Sequence, residues 1–328
     1  MFLGVDGGGT KTAYALVDAD GNLRSSHVGA SVDYLAEGVE VARARLSEGL
    51  GATLSRALVA PSDVAFAFFG LPAYGEDGRT LEALDALPSG VLGSKHYRCG
   101  NDMICSWAGS LACEDGISVI AGTGSLAYGE YAGRQARCGG WGELIGDEGS
   151  AYWIAREGMN LFSRMSDGRA GRGPLHGLVR ERLGIANDLE LCAHIYGVHA
   201  DRRGAFAQFA RLVHEAAQAG DAAAGAIFTR GARELVDCVA AVRRSLGTPD
   251  DVVVAVSHSG GVFDNVPAMV AAFRAGLEAS VQPFEYRAPR FPPAVGAALY
   301  AARLDGHPLG SDAIGRLRFH CNSPGQTQ

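Results

Sequence analysis

A glycine-rich turn near the start of the chain has the composition of a phosphate-binding loop. Asp6 ends an apolar strand, and the chain continues as Gly7-Gly8-Gly9-Thr10-Lys11-Thr12. Gly8 and Gly9 let the backbone fold tightly and turn its amides toward one point, where the threonines add hydroxyls and Lys11 a charge. Asp6 could hold Mg²⁺ through water beside this turn. Taken alone, the turn is explained equally well as an ordinary β-hairpin.

A second turn of similar composition, Gly122-Thr123-Gly124-Ser125, follows the apolar strand Ile117–Ile120. Each turn joins an apolar strand to another strand, which suggests an internal duplication. Two such turns facing each other could hold a triphosphate from both sides. The pair is therefore a far more specific feature than either turn alone.

A third segment, Gly139–Ser150, combines five glycines and three acids with Trp141. An aromatic face beside carboxylates suits a sugar, because the apolar C–H faces pack on the ring and the hydroxyls donate to the acids. A helix N-terminus is the alternative, since Asp147 and Glu148 would face the positive end of a helix dipole. We favour ligand binding for Asp147 and leave both interpretations open for Glu148.

Two weaker features lie at the ends of other strands. Asp102 precedes a helix at a strand end, where α/β proteins place their sites and where phosphoryl-transfer enzymes use an aspartate to accept the hydroxyl proton. From local sequence alone a helix N-cap explains Asp102 better. Gly260 and Gly261 follow a predicted buried strand, Val252–Val256, and leave room for a flat group such as an adenine against the backbone.

Alternating strands and helices must position these residues. The pattern predicts strands at Phe2–Val5, Thr12–Val17 and Val64–Phe69, and a mainly helical region from Gly149 to about Gly247. At 328 residues the chain is long enough for two domains. The segment after Gly310 shows no pattern of a regular element.

The composition excludes several classes of protein. A net charge of -7 argues against binding to nucleic acid or anionic membranes. No segment reaches the ~18 uninterrupted apolar residues of a membrane span, and the opening residues lack a signal-peptide pattern. The seven cysteines are scattered without a C-x-x-C pair, which predicts reduced thiols. We therefore expect a cytoplasmic protein whose partner is a small molecule, and leave monomer and homodimer open.

In order, the chain carries DGGGTKT, ND, AGTGS, GGWGELIGDEGSAYWIA, SGGVF and PPAVGAALYAA. Together these segments resemble the N-acetylglucosamine kinases of the BadF/BadG/BcrA/BcrD ATPase family, in the actin–hexokinase–Hsp70 superfamily. The resemblance implies an α/β fold of two ribonuclease-H-like, actin-like ATPase domains with a nucleotide cleft between them. One would span residues 1–115 and be completed by 292–328, and the larger one would span 116–291. The implied activity is transfer of the γ-phosphate of MgATP to the 6-hydroxyl of an amino sugar.

The same resemblance assigns roles to single residues. Asp6 matches the metal position, Thr10 and Thr123 match phosphate positions, and Asp102 matches the catalytic base. Gly260 and Gly261 fall in the adenosine segment. The matching sugar-binding positions are Ser125, Gly140, Trp141, Gly142 and Asp147.

Two positions depart from the animal members of this group. Leu126 and Asp33 both stand where those enzymes have asparagine. Leucine cannot hydrogen-bond an acetamide, whereas a carboxylate at Asp33 would attract the ammonium group of glucosamine. The sugar therefore stays open between N-acetylglucosamine, glucosamine and N-acetylmuramic acid.

Two other functions compete with the kinase. One is an ATP-driven activator of an iron–sulphur dehydratase, which needs cluster cysteines such as Cys113 or Cys138. The other is a non-catalytic sugar sensor on the same fold. The tryptophan- and acid-containing block favours a sugar over an iron–sulphur cluster, and both intact turns with Asp102 favour catalysis over sensing.

Overall fold

A computed structural model describes residues 1–198 and 203–322. The chain divides into two units, Met1–Asp115 with Ala288–Gln328, and Gly116–Arg287. Each unit is built on one five-stranded mixed sheet. No helix within the described ranges is long and apolar enough to cross a lipid bilayer.

The first unit begins with a sheet in the order β3-β2-β1-β4-β5. Its strands are β1 (Phe2–Gly7), β2 (Lys11–Val17), β3 (Leu23–Ala30), β4 (Phe66–Leu71) and β5 (Tyr97–Asn101). The first helices are α1 (Tyr34–Glu37), α2 (Val39–Ala57), α3 (Leu81–Ala86), α4 (Ser89–Leu92) and α5 (Met103–Leu111). Strand β1 pairs antiparallel with β2 and parallel with β4, which in turn pairs parallel with β5. The carboxyl ends of β1, β4 and β5 therefore meet at one edge of the sheet.

The second unit repeats this arrangement. Its strands are β6 (Gly116–Ala121), β7 (Ser125–Tyr131), β8 (Arg134–Gly139), β9 (Val254–Ser259) and β10 (Phe284–Tyr286). The order β10-β9-β6-β7-β8 is the order of the first sheet, with β6 in the place of β1 and β9 in the place of β4. The duplication suggested by the two glycine turns is thus present in the topology.

The helical region of the second unit lies between β8 and β9, with two more helices after β9. These helices are α6 (Ala151–Ser166), α7 (Pro174–Leu183), α8 (Glu190–Val198), α9 (Arg203–Ala207), α10 (Ala210–Gln218), α11 (Ala222–Leu246), α12 (Gly261–Asn265) and α13 (Pro267–Glu278). Apolar faces of α6, α10 and α11 pack with β6 and β9 into one core, which includes Phe162, Leu212, Phe228 and Val256. The predicted strand Val252–Val256 is displaced, because β9 runs to Ser259.

Two further helices, α14 (Pro293–Leu304) and α15 (Ser311–Asn322), belong to the first unit. Helix α14 lies directly against β1, because a Cβ on Gly4 would fall 2.1 Å from the carbonyl oxygen of Ala294. Residues 311–322, for which the sequence leaves the question of order open, form a regular helix. Helix α15 is held by the buried side chains of Ala313 and Leu317. Two apolar residues make too short an amphipathic pattern to predict a helix from the sequence.

Candidate functional site

In the first unit, Asp6 and Asp102 stand at the carboxyl ends of strands in one parallel run. Asp6 pairs with Gly70 of β4, and Leu71 pairs with Asn101 of β5. The backbone N–H of Asp102 donates to the Leu71 carbonyl at 3.3 Å. Parallel pairing therefore brings together two carboxylates that lie far apart in sequence.

Gly70 makes this proximity possible. A Cβ at that position would lie 2.2 Å from Sγ of Cys105 and 3.0 Å from Cα of Asp102. Any side chain would push the start of α5, and Asp102 with it, away from β4. Glycine at position 70, near the end of β4, is thus a requirement of packing beneath Asp102.

The alternative of Asp102 as a helix N-cap is not supported by its hydrogen bonds. The Asp102 side chain makes no capping hydrogen bond to α5. Asn101 caps instead, because its Oδ1 accepts the N–H of Met103 at 3.1 Å while its Nδ2 donates to the Tyr74 carbonyl at 3.2 Å. The carboxylate of Asp102 is therefore not used to begin the helix.

Burial sets the electrostatics of this carboxylate pair. Desolvation raises the pKa of Asp6 from its ordinary value of 3.8 to about 7, against the lowering effects of Lys11 and of the Cys105 thiol. Desolvation, and then the charge of Asp6, raises the pKa of Asp102 to about 8. Two carboxyls that resist ionisation together favour either a shared proton or a cation.

Mg²⁺ fits the donors at this edge. Magnesium prefers oxygen ligands and is usually held by one or two carboxylates together with water and phosphate oxygens. Asp6 offers such a carboxylate, and the buried Thr12 hydroxyl has no hydrogen-bond partner among the described residues. Within those residues there is no cluster of three His, Cys, Asp or Glu side chains that would form a complete protein cage for a metal.

The first glycine turn is closed by a hydrogen bond from the Gly8 N–H to the Lys11 carbonyl at 2.9 Å. Ser31 Oγ also donates to the Gly8 carbonyl, at 2.7 Å. Gly7, Gly8 and Gly9 do not adopt positive φ values, so this turn does not use glycine to reach a left-handed backbone conformation. Space is the reason at Gly7, where a Cβ would lie 2.7 Å from the Val32 side chain. Gly9, Thr10 and Lys11 remain exposed, and their amides and side chains are accessible to a ligand.

Asp33 lies beside this first turn and caps α1. Its Oδ1 accepts the N–H groups of Leu35 and Ala36 at 3.1 and 3.4 Å. Its Oδ2 lies 3.8 Å from the position of a Cβ on Gly9. Capping thus explains one carboxylate oxygen, and contact with a sugar remains a prediction for the other.

In the second unit, the turn Gly122–Ser125 is anchored by the first residues of α6. The Gly122 N–H donates to the Gly124 carbonyl at 2.9 Å and closes the turn. The Ala151 N–H donates to the Gly122 carbonyl at 2.9 Å, and the Tyr152 N–H to the Thr123 carbonyl at 3.4 Å. Ser150 is the N-cap, because its hydroxyl accepts the Trp153 N–H at 3.1 Å. The start of α6 therefore shapes the turn, and Asp147 is not its cap.

Asp147 occupies a strained and buried position against this turn. It has φ +59°, and its side chain is 2% exposed. Its carboxylate accepts the backbone N–H groups of Ser125 and Gly142. Its Oδ2 would lie 2.7 Å from a Cβ on Gly124, so only glycine fits there. Asp147 therefore joins the second turn to the tryptophan-containing loop.

Other predicted sugar positions gather around Asp147. The Gly140 N–H donates to the Ser125 carbonyl at 3.0 Å, and the Ser125 hydroxyl donates to the Glu148 carbonyl at 2.7 Å. Leu126 packs against Gly140, whose Cβ would lie 3.2 Å from Leu126 Cδ2. Trp141 projects outward with 71% of its surface exposed, and Gly142 has φ +86°. The structure thus places all of these residues around one loop, with an exposed aromatic ring.

Gly260 follows β9 and lies against the second turn. Its φ is +101°, and a Cβ would lie 2.6 Å from the Ala121 carbonyl oxygen. Gly261 then begins α12. The neighbouring His258 is buried, its Nε2 lies 2.7 Å from Oη of Tyr286, and burial lowers its pKa to about 4. His258 is therefore a neutral packing residue.

The sequence matches the BadF/BadG/BcrA/BcrD ATPase family over residues 3–301. The chain belongs to this family. Within it, the chain is 28% identical over 270 residues to the N-acetyl-D-glucosamine kinase of Dictyostelium discoideum, covering 80% of this chain and 85% of that protein. It is 31% identical over 280 residues to the N-acetylmuramic acid/N-acetylglucosamine kinase of Clostridium acetobutylicum, covering 83% and 88%.

Solved structures agree with the fold. A protein named as a candidate N-acetylglucosamine kinase from Chromobacterium violaceum superposes with a TM-score of 0.72 at 26% identity, covering 90% of this chain and 97% of that one. The ROK hexokinase of Thermus thermophilus superposes with a TM-score of 0.58 at 19% identity, covering 92% and 99%. The predicted α/β fold of actin-like ATPase type is therefore confirmed.

Two residues beside the candidate site have no role in the prediction from sequence. Cys105 lies in the first turn of α5, and its Sγ donates to the Val5 carbonyl at 3.5 Å beside Asp6. Arg203 forms ion pairs with Glu143 and Asp147 from 56 residues beyond Asp147. Because Cys105 and Arg203 lie outside any recognisable motif, the local sequence does not identify them as candidate site residues.

Proposed function

We propose that this protein is an ATP- and Mg²⁺-dependent kinase of an amino sugar, with N-acetylglucosamine slightly favoured over glucosamine. The curated relatives named as N-acetylglucosamine kinases support the substrate class. The observation that carries the reaction type is the pair Asp6 and Asp102 at the ends of β1 and β5, beside an exposed glycine turn. The proposal includes a cytoplasmic location.

Asp102 is the proposed general base. A half-buried carboxyl with a pKa of about 8 is a stronger proton acceptor than an ordinary aspartate. As the 6-hydroxyl oxygen of the sugar bonds to the γ-phosphorus, the bond from that phosphorus to the bridging oxygen breaks and ADP leaves. The hydroxyl proton passes to Asp102. A bound Mg²⁺ would neutralise phosphate charge, and Asp6 is the residue assigned to hold it.

The remaining residues bind and orient the substrates in this proposal. We assign phosphate binding to the amides and hydroxyls of Gly8–Thr12 and of Gly122–Gly124. We assign the adenosine to the segment Gly260-Gly261, where Gly260 packs on the Ala121 carbonyl and the Cβ position of Gly261 is open. The residues assigned to the sugar are Asp33, Asp102, Ser125, Leu126, Gly140, Trp141, Gly142 and Asp147.

The test is an assay of sugar-dependent ADP release. Glucosamine, N-acetylglucosamine, N-acetylmannosamine, N-acetylmuramic acid and glucose would each be supplied with MgATP. Phosphorus NMR of the product would locate the phosphate on the 6-hydroxyl. ADP release that ignores every sugar would instead favour the dehydratase activator, and tight sugar binding without any ADP release would favour the sensor.

A further inference from the structure

Arg203 is a charged residue beside the second glycine turn to which the motifs assign no role. Its Nε lies 3.0 Å from Oε2 of Glu143, and its Nη2 pairs with Oδ2 of Asp147. The same Nη2 would lie 2.5 Å from a Cβ on Gly124. One guanidinium therefore contacts two of the three acids of the loop and lies against the backbone of the turn.

The position of Arg203 is fixed by packing as well as by charge. Helix α9 begins at Arg203, and its Phe206 ring lies 4.7 Å from the ring of Tyr152 on α6. Tyr152 itself donates its N–H to the Thr123 carbonyl of the turn. The helix that carries the arginine is thus connected to the turn through two buried or half-buried aromatic residues.

The charges around Asp147 require such a partner. Burial raises the pKa of Asp147, Arg203 lowers it, and Glu143 raises it again. Among the described residues, further charged groups nearby include Glu148, which follows Asp147 directly, and Arg137 of β8, which donates to the Gly140 carbonyl at 3.2 Å. A carboxylate at 2% exposure next to a second acid stays ionised only with a cation in contact.

We propose that Arg203 is a positioning residue of the sugar site, whose guanidinium bridges Glu143 and Asp147 and holds the Asp147 carboxylate as an acceptor for a sugar hydroxyl. This inference rests on the proposed sugar kinase function. The fork of the guanidinium reaches two acids at once, which the single ammonium of a lysine cannot do with the same geometry. Arg203 acts through Asp147 and does not itself take part in phosphoryl transfer.

The experiment compares Arg203→Met and Arg203→Lys with the wild type, using N-acetylglucosamine because this sugar does not titrate. kcat and the KM values for sugar and ATP would be measured over the acid and neutral pH range, because burial raises the pKa of Asp147. Arg203→Met should raise the sugar KM about tenfold or more, the loss expected for a buried charged acceptor, and leave the ATP KM unchanged. The acid limb of kcat/KM for the sugar should move to higher pH than in the wild type, since Asp147 loses the cation that keeps it ionised, whereas the contribution of Asp102 to that limb is common to all the variants.

Two further variants distinguish charge from geometry. Arg203→Lys keeps the charge, so its acid limb should stay near that of the wild type while its sugar KM lies between the other two. Glu143→Gln removes the neighbouring negative charge, so its acid limb should move to lower pH. Arg182→Met is the matched control, because Arg182 also pairs with a glutamate, Glu215, at 2.9 Å but lies on the surface of α7.

The outcomes separate this proposal from the proposed function. An Arg203→Met enzyme with the sugar KM and acid limb of the wild type would overturn the role of Arg203. Equal increases in sugar KM in Arg203→Met and Arg182→Met, without any shift of the acid limb, would also overturn this role. A shifted acid limb in a folded Arg203→Lys enzyme would overturn it as well. If Arg203→Met fails to fold, the Arg203→Lys and Glu143→Gln profiles decide. A wild type that releases no ADP with any sugar refutes the kinase itself, and the role of Arg203 with it.

Discussion

Replacement of Asp102 by asparagine should make the protein more stable and much less active. The structure provides the reason, since burial and the charge of Asp6 raise the pKa of Asp102 from 3.8 to about 8. Burial of Asp102 therefore opposes folding at neutral pH, because the carboxyl must take up a proton that the unfolded chain does not hold, and asparagine keeps the shape of the side chain without this cost.

The stabilisation by Asp102→Asn should grow as the pH rises. Below about pH 4 the carboxyl is protonated in both the folded and the unfolded chain, so its ionisation costs nothing. Between that pH and about 8 the unfolded chain releases the proton first, and wild-type stability falls as the pH rises. Each pKa unit corresponds to ~1.4 kcal/mol, so the ionisation of Asp102 can lower the free energy of unfolding by at most ~5 kcal/mol at pH 7.5. Because the half-buried carboxyl keeps contact with water, which screens its charge, we expect ~1–2 kcal/mol.

The assay is thermal unfolding of the metal-free protein in EDTA at several pH values. At pH 7.5 the Asp102→Asn variant should melt about 2–8 °C higher than the wild type, and the difference should shrink toward pH 4.5. Its kcat in the presence of MgATP and sugar should fall by ~10²-fold or more. Asp237→Asn, an exposed aspartate on α11, should change neither value. A variant that melts at or below the wild-type temperature at pH 8 would refute the electrostatic reasoning, and near-normal turnover would refute the role as base.

Three further predictions concern packing, protonation and the sugar. Gly70→Ala should lower the free energy of unfolding by about 1–3 kcal/mol, since its Cβ would lie 2.2 Å from Cys105 Sγ. Gly78→Ala, with open space around the new Cβ, should stay within about 0.5 kcal/mol of the wild type. Equal stabilities of the two variants in urea unfolding would contradict the packing argument. Burial lowers the pKa of His258 to about 4, so wild-type stability should fall as the pH drops from 6.5 toward 4. His258→Gln should flatten that slope in pH-dependent melting, and an unchanged slope would assign the acid sensitivity to other groups. Asp33→Asn keeps the cap of α1 and removes only the charge, so kcat/KM should fall for glucosamine and hold for N-acetylglucosamine; equal changes for both sugars would place Asp33 away from C2.

Much of the framework follows from the sequence alone. Apolar strands that end in Gly7-Gly8-Gly9 and in Gly122-Thr123-Gly124 predict two strand–turn–strand units, and both sheets contain them. These elements are predictable because alternation, β-branched residues and glycine act on near neighbours in the chain. The ends of β9 and the helix α15 were not predicted, since the pairing of β9 with β6 and the burial of Leu317 depend on segments that are distant in sequence.

Only the tertiary structure decided what the polar residues do. Local sequence favours Asp102 as the helix cap, yet it is Asn101 that accepts the Met103 N–H. Local hydrogen bonding does not distinguish the two side chains before the protein folds. Asp147 and Glu148 look alike beside a helix start, but only Asp147 is buried against Gly124 and paired with Arg203. Charge pairing and burial are set by the packing of elements far apart in sequence, and the free energy of a carboxylate depends on both. For this reason the sequence indicates the types of residue at a site, while the fold determines their partners and their protonation.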